Sequence, residues 1–303
     1  MSQDRIGFIG LSSMGAAIAE RFADAEVTLT VCDLNPANLE PFKAAGVSIA
    51  ASPREVADVC DIVFSCLPST SASIDVALGE DGVVHGQAVK IYVDTATIGM
   101  KTATKIAEGL PKSIGFVDAP VSGGPPGARA GTLSTMASGP REHFDRVQPW
   151  LSVMAKNVFY MGEKPGVAQI AKLINNNLSA AGRLAAFEGF VLALKAGLDP
   201  HALLEVINVS SGRNYTTTDK MKAAILSGSF KFNGHLGNSI KDEALLIDEA
   251  SDLGVPLWVA PRLLETLKAA AESGYLDKDS MFVIQFMGEQ AGLDVQARMK
   301  GAK

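Results

Sequence analysis

One lysine stands in a stretch that would normally exclude it. In Gly166-Val-Ala-Gln-Ile-Ala-Lys172-Leu-Ile-Asn175-Asn176 the spacing predicts a helix. Lys172 and Asn176 are four apart, so they project from one face, a turn from each other. An ammonium among alanine, isoleucine and leucine is costly to bury without a task. Burial lowers a lysine's pKa toward the range where it can give and take protons. Its positive charge also stabilises a developing oxyanion. The bland alternative is a snorkelling lysine, with its stem packed and its head in water.

A second chemical signal opens the chain. Gly10-Leu11-Ser12-Ser13-Met14-Gly15 follows the apolar run Ile6–Ile9 and leads into a helical pattern, the context in which a glycine-rich turn binds a dinucleotide. The first glycine makes the tight turn, and the last lets helix and strand pack closely. The middle position, where a glycine lets backbone approach the pyrophosphate, is Ser12. Its N–H and hydroxyl can still meet a phosphate, but its Cβ is expected to crowd the site. A purely structural turn is the alternative. Asp33 follows about 20 residues on, where an acid accepts hydrogen bonds from the adenosine ribose and repels a 2′-phosphate. NAD(H) is therefore expected in preference to NADP(H), with Asp33 as a mere cap or turn residue the other reading.

A third signal is Asp118-Ala-Pro-Val-Ser122-Gly123-Gly124-Pro-Pro-Gly127-Ala-Arg-Ala-Gly131. It reads as a strand leaving into a glycine-rich loop. Exposed N–H groups there, with the Ser122 hydroxyl, would suit a small carboxylate. A plain connecting loop is equally compatible.

The elements that must carry these residues change character along the chain. Strands are predicted at Ile6–Ile9, Val27–Cys32, Ile62–Leu67, Ile91–Asp94 and Ile114–Asp118, and helices separate most of them. Asn35-Pro36 and Ser52-Pro53 each read as an N-cap followed by a first helical position. Such alternation implies a doubly wound parallel sheet with helices on both faces. After Gly162 the pattern becomes helical. Val167 to Ala196 contains no proline, and its only glycines are Gly182 and Gly189, which predicts one helix of roughly 45 Å. Being apolar almost all round, it is expected to be buried. Further helices are predicted over 200–209, 218–226, 239–253, 256–273 and 280–290. The expected organisation is an α/β Rossmann-type domain over 1–164 and an all-α domain over 165–303.

Bulk properties limit the function. The chain has 303 residues, 47% hydrophobic and 20% charged, enough apolar content for large cores. A net charge of −6 argues against a nucleic-acid partner. No apolar run reaches the roughly 18 residues that span a bilayer. The first strand starts so early that a leader is not expected, and the chain reads as cytoplasmic. Cys32, Cys60 and Cys66 lack disulfide or metal spacing and read as packing residues. The four histidines are scattered, so no metal site is expected.

Taken together, these stretches resemble the β-hydroxyacid dehydrogenase family. Gly7–Gly15, Asp118–Leu133, Gly166–Asn176 and Lys241-Asp242 carry the resemblance. It implies that Leu67, Pro68 and Thr97 touch the cofactor near its nicotinamide half. Ser122 and Gly123, with Gly124, would hold the substrate carboxylate. Lys172 would be the acid–base group and Asn176 would position substrate, while Lys241 would close the site beside substrate and cofactor. The implied reaction is hydride transfer between NAD and a short 3-hydroxy acid, 3-hydroxyisobutyrate-like or polyhydroxylated as in threonate and glycerate. A homodimer or homotetramer is implied as well.

Three departures stand out. Besides Ser12, Ala96 replaces a frequent serine before Thr97. Gly234 falls where many relatives carry an aromatic residue, which predicts a more open pocket wall. His235 could meet a substrate hydroxyl or lie on the surface, and Arg213 could serve a distal polar group or fix its loop. An imine reductase of similar architecture is a rival, but such enzymes typically lack this lysine. A catalytically silent scaffold is the rival of another class, and Ser12 is the feature that favours it.

Overall fold

The computed structural model describes residues 4–25 and 27–301. The chain divides into two compact units, Met1–Lys172 and Leu173–Lys303.

The first unit is built on a nine-stranded sheet. Its strands are β1 (Ile6–Ile9), β2 (Leu29–Cys32), β3 (Ser48–Ile49), β4 (Ile62–Ser65), β5 (Ile91–Asp94), β6 (Gly115–Asp118), β7 (Val121–Ser122), β8 (Leu133–Ser138) and β9 (Ala155–Gly162). They lie in the order β3-β2-β1-β4-β5-β6-β8-β7, with β9 paired to β8. Every residue of β1, β2, β4, β5 and β6 is buried. Alternation along each strand feeds two cores. Ile62 and Phe64 join Ile6 and Phe8 on one face, while Val63 joins Ile9 and Tyr92 on the other.

Helices between the strands start where sequence chemistry dictates. Asn35 accepts a hydrogen bond from Ala37 N at the start of α2 (Pro36–Ala44). Ser52 does the same for Glu55 N at the start of α3 (Pro53–Val59). Each such cap contributes about 1 kcal/mol. The helix α1 (Ser13–Asp24) sets Phe22 between Phe8 and Phe64, with ring centroids 6.2 and 4.9 Å away.

The sheet is mixed, which the strand–helix alternation did not reveal. β1 to β6 pair in parallel, but β8 runs antiparallel to β6 and β7. The glycine-rich stretch is likewise not a plain loop. It holds β7 and a six-residue helix, α6 (Gly124–Arg129). Pro125 and Pro126 fit its first turn, where N–H groups lack helical partners. Strand ends also moved. β2 begins at Leu29, β4 ends at Ser65, and β6 begins at Gly115, so Leu67-Pro68 lies in the loop after β4.

The helix α8 (Val167–Lys195) runs 29 residues, and the division of the units falls within it. The second unit adds α9 (Pro200–Asn208), a π-helical segment (Thr216–Leu226), α10 (Leu236–Asp252), α11 (Ala260–Ala270), α12 (Val283–Gln290) and α13 (Val295–Gly301). Leu184, Phe187, Phe190, Val191 and Leu194 of α8 pack with Met221, Ile225, Leu263, Leu267 and Ile284. The expectation of burial all round fails. Ile174, Leu178 and Leu192 are 49%, 67% and 71% exposed. The helices of this unit cover one face of α8, and among the described residues this opposite stripe stays exposed. Among the described residues, no helix is long and apolar enough to cross a membrane.

Candidate active site

The site residues of the first unit gather at the carboxyl ends of its strands. Ligands of doubly wound sheets bind where strand order reverses, here between β1 and β4. Gly10 leaves β1 with φ +90°, and a Cβ there would sit 2.5 Å from the Cys66 carbonyl oxygen and 2.9 Å from Leu67 Cδ2. A Cβ on Gly15 would lie 1.9 Å from the Gly10 carbonyl oxygen. Both positions therefore require glycine. Ser12 does not share that constraint. It is exposed, its φ of −65° and ψ of 178° are ordinary for an L-residue, and its side chain makes no capping bond. The backbone at this position therefore does not itself demand glycine. The loop and the N-terminus of α1 fit a pyrophosphate, which backbone N–H groups and the helix dipole favour.

Asp33 ties this loop to the next one. Its Oδ2 accepts from Leu11 N at 2.5 Å, and its Oδ1 from Asn35 N at 2.7 Å and Asn38 Nδ2 at 3.1 Å. The carboxylate thus organises the turn. Leu67 reaches the Gly10 loop after β4, next to exposed Pro68. Thr97 is half-buried in the loop after β5, whose start is fixed by Thr95 Oγ1 donating to Ser65 O at 2.6 Å.

The Ser122 loop and the start of α8 are held by a separate buried network. Gly123 and Gly124 have φ of +129° and +65°, conformations that turn the chain sharply after half-buried Ser122. At the end of β6, Asp118 Oδ1 accepts from Ser138 Oγ at 2.6 Å and from Gly166 N at 2.7 Å. Ser138 Oγ in turn accepts from Ala168 N at 3.0 Å. Burial pushes the Asp118 carboxyl up to about 6, against the pull of those hydrogen bonds. Gln169, fully buried, accepts from Ile98 N and Gly99 N and donates to the Ala96 carbonyl. These bonds fix the first turn of α8 to the strand-end loops. Lys172 follows three residues later and is only 7% exposed.

In the second unit, α8 and α10 present facing polar groups. Asn176 Nδ2 donates to Asp242 Oδ2 at 2.7 Å, and Asn177 Nδ2 to Glu243 Oε2 at 2.8 Å. Lys241 Nζ lies 3.3 Å from Asp242 Oδ1. A cavity of about 130 Å³ is lined by Asn176, Ser179, Ala180, Arg183, Ser239, Asp242 and Glu243. Burial raises the Glu243 carboxyl, opposed by the Asn177 bond. Arg183 is 5% exposed, and burial pushes its guanidinium down to about 10 while Asp279 and Glu243 act against that shift.

Arg183 is the residue that sequence reasoning missed. The signal was present. Lys172, Asn176, Ser179 and Arg183 follow the spacing i, i+4, i+7, i+11, one polar stripe along an otherwise apolar helix. Arg213 and His235, the other polar candidates in the sequence, are both exposed. Gly234 is not at this cavity. It lines a different recess with His235 and Asp279, and a Cβ there would lie 3.2 Å from Ser280 Oγ. Among the described residues, no group of three His, Cys, Asp or Glu side chains is placed to hold a metal. The three cysteines are buried, and among the described residues they form no disulfide.

Comparison with known proteins places this geometry. A family model described as the NAD binding domain of 6-phosphogluconate dehydrogenase matches residues 5–162. A second, described as NAD-binding of NADP-dependent 3-hydroxyisobutyrate dehydrogenase, matches residues 166–298. The 2-(hydroxymethyl)glutarate dehydrogenase of Eubacterium barkeri is 32% identical over 293 residues, covering 96% of this chain and 97% of that one. The crystal structure of 3-hydroxyisobutyrate dehydrogenase from Salmonella typhimurium is 29% identical, with a TM-score of 0.82 over 93% of this chain and 99% of that one. Psf3, solved in complex with NADP⁺, is 26% identical with a TM-score of 0.83 and covers 93% and 99% of the two chains.

Proposed function

This chain belongs to the β-hydroxyacid dehydrogenase family, and from that premise we propose that it moves hydride between NAD and the carbinol carbon of a short 3-hydroxy acid, with Lys172 as the acid–base group. At the coarser level it is an NAD(P)-dependent 3-hydroxyacid dehydrogenase of the 3-hydroxyisobutyrate type. The observation that carries the finer reading is Lys172 itself, a nearly buried ammonium on a helix whose preceding turn is pinned by Gln169.

The roles follow from the chemistry of the groups. The bound nicotinamide supplies or accepts the hydride. Ser122 Oγ and the backbone N–H groups of Gly123 and Gly124 hold the substrate carboxylate. Asn176, kept in place by Asp242, orients the substrate. Lys172 as the neutral amine takes the hydroxyl proton as a carbonyl forms, and as the ammonium returns it in the reverse direction. Lys241 contributes a cation from α10 toward substrate and cofactor. The Asp33 carboxylate would repel a 2′-phosphate, which supports NAD over NADP. Ser12 sits in an unstrained conformation at the start of α1, where its N–H and hydroxyl can meet a phosphate, which supports a cofactor-binding turn over the silent scaffold.

Two parts of the reading concern the chain's surroundings. The exposed stripe of Ile174, Leu178 and Leu192 supports assembly into a homodimer or homotetramer. A monomer in sedimentation at micromolar concentration would remove that part. Residence in the cytoplasm is part of the same proposal. The reaction itself is tested by the near-ultraviolet absorbance of reduced nucleotide. NAD⁺ and, separately, NADP⁺ are incubated with 3-hydroxyisobutyrate, glycerate, threonate and 3-hydroxypropionate. NADH from at least one acid is expected, and failure of every acid with both nucleotides would sink the proposal.

A further inference from the structure

We propose that the cavity behind Asn176 is a specificity pocket for a hydroxylated tail of the substrate, with Arg183 and Glu243 as its principal contacts. The inference rests on the hydroxyacid dehydrogenase reading above and names the kind of acid that the enzyme prefers.

Arg183 has an incomplete set of partners. Arg183 is 5% exposed, yet its one hydrogen bond runs from Nη2 to Ser239 Oγ at 3.1 Å. Its Nε is buried without a partner. Asp279 and Glu243 act on it through their charge, while their own carboxylates accept from Phe232 N and Gly234 N and from Asn177 Nδ2. A guanidinium taken out of water needs its donors met, and a group left short of partners destabilises the fold. Such an arrangement calls for a reason, and a ligand against the guanidinium where it lines the cavity supplies one.

Size and polarity then select the ligand. At about 130 Å³ the cavity holds roughly four water volumes. That matches two hydroxyl-bearing carbons. Arg183 offers donors, Asp242 and Glu243 offer acceptors, and Ser179 and Ser239 offer both. Hydroxyl groups donate and accept, so they answer the whole lining. An alkyl group would leave Arg183 and Glu243 unmet. A second carboxylate would face two carboxyl groups against one guanidinium.

Placement completes the case. Asn176, which orients substrate in the reading above, lines the same cavity. Arg183 stands seven residues on, about 10 Å along the axis. Helical side chains lean toward the N-terminus, so Arg183 leans back toward Asn176. A tail extending past Asn176 therefore enters the cavity.

The test compares tails of three chemistries in wild type and Arg183→Met. The probes are threonate and gluconate, 3-hydroxyisobutyrate, and 2-(hydroxymethyl)glutarate. Wild type should favour a polyhydroxy acid over 3-hydroxyisobutyrate by about 10-fold or more in kcat/KM, because unmet buried groups penalise the alkyl acid. In Arg183→Met that ratio should fall to near one, mainly through KM. The Tm should not fall, since a buried charge has been removed. Equal losses on all acids with a lowered Tm would make Arg183 a structural residue and overturn the proposal. Preference for the alkyl acid, or for the dicarboxylate, would also overturn it while leaving the dehydrogenase reading intact. No turnover of any acid would overturn both.

Discussion

Gln169 and Arg183 lie on the same helix, both buried, and their surroundings treat them in opposite ways. Every heteroatom of the Gln169 amide has a backbone partner, from Ala96, Ile98 and Gly99. Arg183 has one hydroxyl partner and a buried Nε with none. A satisfied buried group builds, because its hydrogen bonds fix one arrangement of the chain. An unsatisfied one weakens the fold and persists for another reason. Between them on the polar stripe stand Lys172 and Asn176. The first is positioned by the rigid end of the helix, the second shared with the unfinished cavity.

This contrast can be broken at several points. The largest effect is expected at Lys172. Lys172→Ala should lower kcat by about 10²-fold or more, with NADH affinity measured by fluorescence little changed. A loss confined to NADH affinity would place the lysine in cofactor binding instead. Next comes Gln169→Leu, which removes the amide and strands two N–H groups and a carbonyl. Unfolding in urea should show a loss of about 3 kcal/mol, and kcat should fall with it because the Lys172 turn loosens. A neutral result would mean that the amide network does not position the helix. Asp33→Ala should shift the ratio of NAD⁺ to NADP⁺ use toward NADP⁺ by about tenfold, the scale of one lost charge repulsion near a phosphate. An unchanged ratio would leave Asp33 as the organiser of the turn through Leu11 and Asn38.

The smallest effect belongs to Asp118, whose Oδ1 is well served and whose Oδ2 has no partner. Its carboxyl is raised to about 6, so the protonated form is the one the fold favours. The stability it contributes is present at low pH and is lost as pH rises through about 6. The Tm of Asp118→Asn relative to wild type should therefore climb by a few degrees between pH 4 and 7. A flat difference across that window would show that the carboxyl is not held above its ordinary range. Asp61 provides the opposite sign. Arg5 and Lys90 hold its carboxyl well below the usual range, so its contribution is lost only as pH falls below that range.

How much of this was legible in the sequence depends on whether a signal was local. The strands Ile6–Ile9 and Ile91–Asp94 are continuous apolar runs, and their boundaries were read correctly. The Gly10–Gly15 turn was legible because backbone crowding at its two ends excludes any side chain. β8 and β9 were not. Ser134, Thr135 and Ala137 carry weak apolar signal, and Lys156 and Asn157 face outward, so it is pairing, of β8 with β6, β7 and β9, that makes them strands. The exposure of Leu178 and Leu192 also escaped, since composition shows that a helix is apolar but not how many neighbours its own chain supplies. Arg183 lay between these cases. Its spacing from Lys172 was visible, but its burial depends on Ser239 and Glu243 of a helix more than fifty residues away in sequence.

Transfer of label from substrate to nucleotide tests the central claim most directly. Wild-type enzyme would be incubated with NAD⁺ and 3-hydroxyisobutyrate deuterated at C3, and the reduced nucleotide analysed by mass spectrometry. Deuterium carried from C3 into the nicotinamide is the expected result, with label transfer strongly slowed in Lys172→Ala. Reduced nucleotide without label, or transfer as fast in Lys172→Ala as in wild type, would contradict it.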